Sequence, residues 1–67
     1  KPSAKSYYSV DDANTAIQTA TAAGKVMTRI GKYGTRQYQY EGTNGVTVIV
    51  ETEGRNAGKV ITFWRNQ

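Results

Sequence analysis

Cationic and aromatic side chains are interleaved in one short stretch of this chain. Residues 29–40 contain two arginines, one lysine and three tyrosines, which are Arg29, Lys32, Tyr33, Arg36, Tyr38 and Tyr40. Trp64 and Arg65 add an indole and a further guanidinium near the end of the sequence. Cations neutralise phosphates, and aromatic rings stack on unpaired bases. The pattern indicates a surface for single-stranded RNA or an RNA loop, although Tyr38 and Tyr40 suit equally well a strand with one face in the core.

The residue types that are missing restrict the chemistry. The sequence has no Cys and no His, which excludes disulfides, thiolate zinc sites, Cys nucleophiles and His general bases. The carboxylates are too few to favour a two-metal nuclease site; they are Asp11, Asp12, Glu41, Glu51 and Glu53. Gly31 and Gly34 lie between two predicted strands, so they predict a turn rather than a phosphate-binding loop. We therefore expect no metal and no cofactor.

RNA carries its own nucleophile, the 2′-hydroxyl group. An enzyme that uses it needs a base for that hydroxyl, an acid for the 5′-oxygen, and cations or donors around the phosphorus. Without His, a Lys, a Tyr or a carboxylate must move the protons. A dense positive environment lowers the pKa of Lys and Tyr toward neutrality. Alternatively, the cations do most of the work by positioning the substrate and stabilising charge.

Size and charge agree with a small domain that has a polyanionic partner. The chain has 67 residues, a formal net charge of +4 and a pI of about 9.6. Folding at this size hides only roughly 60% of the surface of the unfolded chain, so the core must be thin. From Lys25 onward the sequence has seven basic and three acidic residues. No run of about 18 apolar residues is present, so the sequence predicts no membrane span.

The first part of the chain reads as an arm followed by a helix. Residues 1–8 are polar with two tyrosines, and residues 9–24 have helical character. Ser9 and Asp12 have the spacing of a capping box, and Gly24 is a natural stop. One apolar stripe repeats at helical spacing, and its members are Val10, Ala13, Ile17 and Ala20.

Residues 25–65 read as a sheet. Strands are predicted at 25–30, 35–41, 46–52 and 59–65, separated by glycine-rich turns. Short connections favour sequential antiparallel pairing. The sequence therefore predicts an α+β domain, with one N-terminal helix packed on a three- to four-stranded antiparallel meander.

The alternation of side chains assigns the sheet its two faces. Val46, Val48 and Val50 share one face, and we expect Ile61 and Phe63 to join them beneath the helix. Thr62 and Trp64 then point away from the helix, as do Thr47, Ile49 and Glu51. We expect the cluster of guanidinium, phenol and indole groups to gather on this uncovered face. Glu51 and Glu53 fall on one strand face, where they could simply face water.

The arrangement resembles the small toxin-nuclease superfamily of barnase, the RelE-type interferases, the EndoU nucleases and the anticodon-cleaving colicins. Its members include C-terminal toxin domains of contact-dependent inhibition systems and other polymorphic bacterial toxins. Three segments carry the resemblance: the helix entry Tyr8 to Asp12, the central strand Gly45 to Val50, and the last strand Gly58 to Arg65. The missing His is a departure from many members.

The resemblance implies a site built around the last strand. A Thr and an aromatic residue two positions later line the active site in several members, which here are Thr62 and Trp64. Thr62 would hydrogen-bond the scissile phosphate, and Trp64 would stack on a base. Arg29 and Arg36 would stabilise charge, and Tyr33 or Lys5 would move protons. The wider RNA-binding set would be Lys25, Lys32, Tyr38, Tyr40 and Arg65.

The resulting hypothesis is a metal-independent endoribonuclease that cleaves RNA, with tRNA as the first candidate. The resemblance further implies a secreted or cell-surface-delivered effector that acts in the cytoplasm of a target cell, and a cognate acidic immunity protein. Two alternatives stay open. The same surface would suit an RNA-binding module without catalysis, and Trp64, Tyr38 and Tyr40 would suit the hot spot of a protein-interaction domain.

Overall fold

The computed structural model describes residues 10–65, which form one helix and one sheet. The elements are α1 (Val10–Ala23), β1 (Val26–Ile30), β2 (Arg36–Glu41), β3 (Val46–Glu51) and β4 (Val60–Arg65). The strands pair antiparallel in the order β1-β2-β3-β4. This confirms the predicted α+β meander with an N-terminal helix packed on it. The predicted arm at residues 1–8 and the capping residue Ser9 lie outside the described residues.

Small side chains let α1 lie close to the sheet. Ala13, Ala16 and Ala20 are buried along the helix. The helix approaches the backbone closely at Gly42, just after β2, where an added Cβ would come within 2.5 Å of the Ala16 Cα. Val10 was expected in the buried stripe but is 72% exposed. The apolar stripe therefore starts one turn later than predicted, at Ala13.

Hydrogen bonds connect α1 to the hairpin between β2 and β3. The Asn44 side-chain amide donates to the Asp12 carbonyl oxygen over 3.2 Å, and the Thr43 backbone N–H donates to the Thr19 hydroxyl over 3.0 Å. The helix is thus held at the hairpin end of the sheet.

α1 has 14 residues, and no helix within residues 10–65 is long and apolar enough to cross a membrane.

The core lies between α1 and one face of the sheet. Val46 and Val48 are buried there against Ala13 and Ala16. Further hydrophobic side chains pack against this cluster, and they are Ile17, Tyr40, Val50 and Phe63. The predicted placement of the three valines and of Phe63 beneath the helix is confirmed.

The face away from the helix is less open than expected. The strand registers arrange its side chains in three rows, which are Met27–Gln39–Ile49–Thr62, Arg29–Gln37–Glu51 and Glu41–Thr47–Trp64. Thr47 and Ile49 are almost fully buried on this face. β3 is an inner strand, so each of its side chains lies between neighbours from β2 and β4. The central strand is therefore buried on both sides, although the helix covers only one.

A β-bulge in β4 changes the face of one predicted residue. Thr62 pairs with Ile49, but Val50 pairs with Val60, so Ile61 is an extra residue in the ladder. Ile61 lines the same cleft as Thr62 and Ile49 rather than joining Phe63 under the helix. The prediction for Ile61 is wrong because strict alternation assumes an unbroken ladder, which a bulge interrupts.

Candidate functional site

A cleft of about 450 Å³ lies on the face of the sheet that α1 does not cover. It is built at the end of the sheet opposite the helix-bound hairpin, by β1 to β4 and by two loops. Its lining residues are Arg29, Lys32, Tyr33, Thr35, Gln37, Ile49, Glu51, Asn56, Ile61 and Thr62. This volume falls within the range of roughly 300–1,000 Å³ that is typical of ligand sites in proteins.

Three strands place a cation, an amide and a carboxylate in one row across the cleft. Arg29 on β1 is paired with Gln37 on β2, which is paired with Glu51 on β3. Paired residues in antiparallel strands project to the same face. The Gln37 side-chain Nε2 donates to the Glu51 Oε1 over 3.0 Å.

Glu51 is the residue that sequence reasoning missed. It is only 6% exposed, and its Oε2 is buried with no hydrogen-bond partner among the described residues. The pKa of Glu51 is lowered from its ordinary value by the nearby Thr35 hydroxyl and by the Gln37 amide, against the opposing effect of burial. Glu51 therefore stays a carboxylate at neutral pH.

The position of Glu51 on β3 carried a signal that could have identified it. Glu51 continues the alternation of Thr47 and Ile49 on a strand with strong β-propensity. A carboxylate at such a position is rarely buried unless it is paired or functional. We instead interpreted it as a residue that could face water.

Gln37 is fixed by a close approach of the backbone. Its side chain is 8% exposed and packs against Gly31, where an added Cβ would overlap the Gln37 amide. Because Gly31 has no side chain, the Gln37 amide has space to donate its hydrogen bond to the Glu51 carboxylate. The turn that follows Gly31 is closed by the Gly31 N–H, which donates to the Thr35 carbonyl oxygen over 2.7 Å.

The mouth of the cleft is cationic and aromatic. Lys32 and Tyr33 extend from the turn between β1 and β2, and the Lys32 Nζ lies 5.7 Å from the centre of the Tyr33 ring. Tyr33 is 87% exposed, and Arg29 and Lys32 are exposed as well. These groups are available to a ligand that approaches from solvent.

The opposite wall comes from β4 and the loop before it. The bulge presents Ile61 and Thr62 to the cleft, and Asn56 comes from the loop between β3 and β4. Backbone hydrogen bonds hold this loop against β3: the Glu51 N–H donates to the Lys59 carbonyl oxygen, and the Gly58 N–H donates to the Glu51 carbonyl oxygen. The wall is therefore attached to the same strand that carries the buried carboxylate.

The structure brings together four of the residues that the sequence singled out. Arg29, Lys32, Tyr33 and Thr62 all line the cleft. Trp64 lies on the same face as Thr62, paired with Thr47 in the neighbouring row, and is 39% exposed. Trp64 is therefore beside the cleft rather than in its wall.

Three residues of the expected cluster lie on the other side of the sheet. Tyr40 packs against the core beneath α1, and the rings of Tyr38 and Tyr40 meet edge to face with their centres 6.1 Å apart. Arg36 shares this side, where it lines a smaller hollow at the edge of the sheet together with Thr28, Arg29 and Ile30. The expectation that all these groups gather on the uncovered face is wrong, because Arg36, Tyr38 and Tyr40 alternate onto the helix side.

The remaining predicted residues are not part of the cleft. Arg65 is paired with Val46 and so lies on the helix side of the sheet, and Lys25 precedes β1 at the helix-bound end. Lys5 lies outside the described residues. Within residues 10–65, no group of three or more His, Cys, Asp or Glu side chains could hold a metal ion.

Comparisons of the chain with protein-family models, with curated proteins and with solved structures found no match.

Proposed function

We propose that this chain is a metal-independent endoribonuclease and that the cleft on the uncovered face is its site. The observation that supports this most is the meeting of Arg29, Lys32, Tyr33 and Thr62 at one opening. A phosphodiester needs cations and hydroxyl donors around the phosphorus, and these side chains supply both. Its RNA substrate supplies the nucleophile, so no Cys, His or metal is required.

The proposed reaction is an internal transesterification. The 2′-oxygen of the ribose forms a bond to phosphorus, and the bond from phosphorus to the 5′-oxygen of the next nucleotide breaks. The 2′-hydroxyl loses its proton to a base, and the departing 5′-oxygen takes one from an acid. The products are a 2′,3′-cyclic phosphate and a free 5′-hydroxyl.

We assign roles in this reaction to four residues of the cleft and to two residues outside its wall. Arg29 and Lys32 stabilise the negative charge that develops on the phosphoryl oxygens. The Thr62 hydroxyl donates a hydrogen bond to one of those oxygens from the opposite wall. We assign the proton transfers to Tyr33 or Lys5, and stacking on a neighbouring base to Trp64.

The direct test is incubation of the full chain with total tRNA in the presence of EDTA. We expect discrete fragments whose 3′-ends carry a cyclic phosphate. A substrate with 2′-O-methyl groups at the cleaved positions should stay intact, because its nucleophile is blocked. Intact tRNA after prolonged incubation at excess protein, or cleavage of the methylated substrate, contradicts the proposal.

The alternative of an RNA-binding module without catalysis predicts a different result in the same assay. The cationic mouth would retard the RNA in a gel without producing fragments, and the retardation would weaken steeply with salt. A protein-interaction domain predicts neither fragments nor retardation.

A protein partner is part of the proposal. From the resemblance we propose an acidic immunity protein that covers the cleft, in a system that delivers the chain into the cytoplasm of a target cell. The exposed Arg29, Lys32 and Tyr33 offer charge and aromatic surface to such a partner. Mixing the two proteins should then abolish RNA cleavage at an equimolar ratio.

A further inference from the structure

We propose that Asn44 is a site of spontaneous deamidation, and that the fold controls the rate by holding the Asn44 side chain between the β2–β3 hairpin and α1. The reaction consumes only water, so it takes place whether or not the cleft binds RNA. Once it has occurred, the chain has lost one of the hydrogen bonds that attach the helix to the hairpin. The site thus couples a chemical change to the stability of the fold.

The dipeptide Asn44-Gly45 is the most reactive asparagine context in the chain. The side-chain carbonyl carbon of an asparagine is attacked by the backbone nitrogen of the next residue, and a Cβ on that residue hinders the attack. Asn44 alone precedes a glycine, whereas the other asparagines of the sequence precede Thr15, Ala57 and Gln67. Deamidation is therefore expected first at Asn44 when nothing restrains the chain.

The geometry of the hairpin requires a glycine at position 45. The φ of Gly45 is +83°, which lies in the left-handed region where a residue with a Cβ is strained. The Gly45 N–H donates to the Gly42 carbonyl oxygen over 3.2 Å, and the Gly42 N–H donates to the Val46 carbonyl oxygen over 2.9 Å. The turn that needs this glycine therefore also places the least hindered nucleophile next to Asn44.

In the folded chain, hydrogen bonds restrain both reacting groups. Asn44 Nδ2 donates to the Asp12 carbonyl oxygen over 3.2 Å, and Asn44 Oδ1 accepts from the Val46 N–H over 3.3 Å. The attacking nitrogen, that of Gly45, is engaged with the Gly42 carbonyl oxygen. Asn44 Oδ1 also lies so near Gly42 that an added Cβ there would come within 2.5 Å of it. The side chain must leave these contacts before it can react, so the rate follows the local opening of the hairpin.

The reaction has two steps. The Gly45 nitrogen forms a bond to Asn44 Cγ and gives up its proton, and the bond from Cγ to Nδ2 breaks, so that Nδ2 leaves as ammonia. The product is a cyclic succinimide. Water then adds to either carbonyl carbon of the ring and opens it, which leaves aspartate or isoaspartate at position 44. The sum is the uptake of water and the release of ammonia.

Deamidation removes the donor that joins the hairpin to α1. A carboxylate at position 44 accepts only, so it meets the Asp12 carbonyl oxygen without a hydrogen atom between them. The helix dipole favours negative charge at this end, but Asp11 and Asp12 already supply it in the first turn. Isoaspartate also lengthens the backbone within the turn. The deamidated chain therefore holds α1 less firmly than the original chain does.

The first test compares the deamidation rates of the folded and the unfolded full chain. The protein is incubated in guanidinium chloride or in sodium chloride of equal concentration, at one pH and temperature, and then digested with trypsin. Mass spectrometry follows the change from amide to acid. Trypsin separates residues 37–55, which contain Asn44, from residues 56–59, which contain Asn56.

We expect Asn44 to react faster than Asn56 in guanidinium chloride. In sodium chloride the Asn44 rate should fall by about tenfold or more, because each restraining hydrogen bond opposes opening by roughly two- to tenfold. Equal Asn44 rates in the two solutions overturn control by the fold. An Asn44 that reacts no faster than Asn56 in guanidinium chloride overturns the site itself.

Two aspartate variants measure the consequence for stability by urea unfolding. Asn44→Asp carries one product of the reaction, so we expect its ratio of folded to unfolded chain to fall by about fivefold or more. Asn14→Asp is the matched control, because Asn14 is exposed on α1, and its ratio should change by less than about twofold. An Asn44→Asp chain as stable as the wild type overturns the link to stability. A variant that does not fold at all shows the same loss in a stronger form, and the wild-type rates then decide the site.

Discussion

Arg29 and Arg36 lie on neighbouring strands but on opposite faces of the sheet. Arg29 shares its face with its pairing partner Gln37, so Arg36, which precedes Gln37, must point the other way. The sequence predicts the same charge-stabilising role for both arginines. The structure gives only Arg29 a place in the cleft.

This difference predicts unequal effects of two matched substitutions. We expect Arg29→Met to lower kcat/KM for RNA cleavage by about 10²–10³, the range seen when one stabiliser of a developing oxyanion is removed. Arg36→Met should change kcat/KM by less than about fivefold, since a remote phosphate contact is worth little more than 1 kcal/mol. Initial rates on one fluorescent oligonucleotide measure both. An equal loss in the two variants would show that the cleft is not the site.

Glu51 predicts how stability depends on pH. Its pKa in the folded chain is lowered from the ordinary value of 4.5, so the unfolded chain binds the proton more tightly. Its contribution to stability is complete above pH 4.5 and is lost as the pH falls through the folded-state pKa. Urea unfolding between pH 7 and pH 3 should show a smaller acid loss for Glu51→Gln than for the wild type. Parallel curves for these two proteins would contradict the assignment, and Glu53→Gln controls for a generic charge effect.

At the scale of elements, Gly31 and Gly42 each leave space for a neighbouring group, but the groups differ. Gly42 touches the backbone of α1 at Ala16, whereas Gly31 faces the flexible end of the Gln37 side chain. A Cβ at position 42 can be accommodated only if the helix moves. A Cβ at position 31 can be accommodated if the Gln37 side chain rotates away.

Alanine substitutions at these positions should therefore separate stability from function. We expect Gly42→Ala to lower the free energy of unfolding by about 1–3 kcal/mol, the usual cost of overpacking. Gly31→Ala should lower the free energy of unfolding by less. It should displace the Gln37 side chain and thereby weaken the binding of ligands in the cleft. Urea unfolding and nucleotide titration of both variants measure this. A Gly31→Ala variant with unchanged affinity would show that Gln37 is not needed to hold Glu51.

Much of the element layout was predictable because glycines and alternation mark it locally. Gly24, Gly42 and Gly45 bound the elements, and the valines of β3 alternate without interruption. The bulge at Ile61 was not predictable, because it depends on the pairing with β3 rather than on the sequence of β4. The face of Arg36 could not be assigned either, since β2 carries aromatic side chains on one side and amides on the other, and both suit a half-buried strand.

The local alternation of the strands also made part of the site predictable. Thr62 and Trp64 were correctly assigned to the face away from the helix, because the valines and Phe63 fix the direction of their own strands. The cleft itself requires residues of the β1–β2 turn and of β4 to line the same opening, and no local sequence pattern indicates this. The alternation of β3 carried a signal for Glu51, but its hydrogen bond with Gln37 depends on the pairing of β2 with β3 in the assembled sheet.

For the whole molecule, the net charge of +4 predicts RNA binding that depends strongly on salt. The logarithm of the binding constant should fall linearly with the logarithm of the salt concentration, and Arg29→Met should reduce the slope by about 0.7–1 if Arg29 contacts one phosphate. Trp64 is the single tryptophan of the chain, so its fluorescence reports on binding beside the cleft. Titration with a 2′-O-methylated oligonucleotide, which cannot be cleaved, measures both. Salt-independent binding or unchanged Trp64 fluorescence would contradict an RNA-binding face there.

The central claim is that RNA is cleaved in the cleft on the uncovered face of the sheet. Its most direct test compares the wild type with Thr62→Val and Thr28→Val on total tRNA in EDTA. Both substitutions remove one hydroxyl from a strand, but Thr62 lines the cleft and Thr28 lies on the opposite face. We expect Thr62→Val to cleave about 10²-fold more slowly, because it loses a donor to the reacting phosphate, and Thr28→Val to cleave like the wild type. Equal cleavage by all three proteins would contradict it.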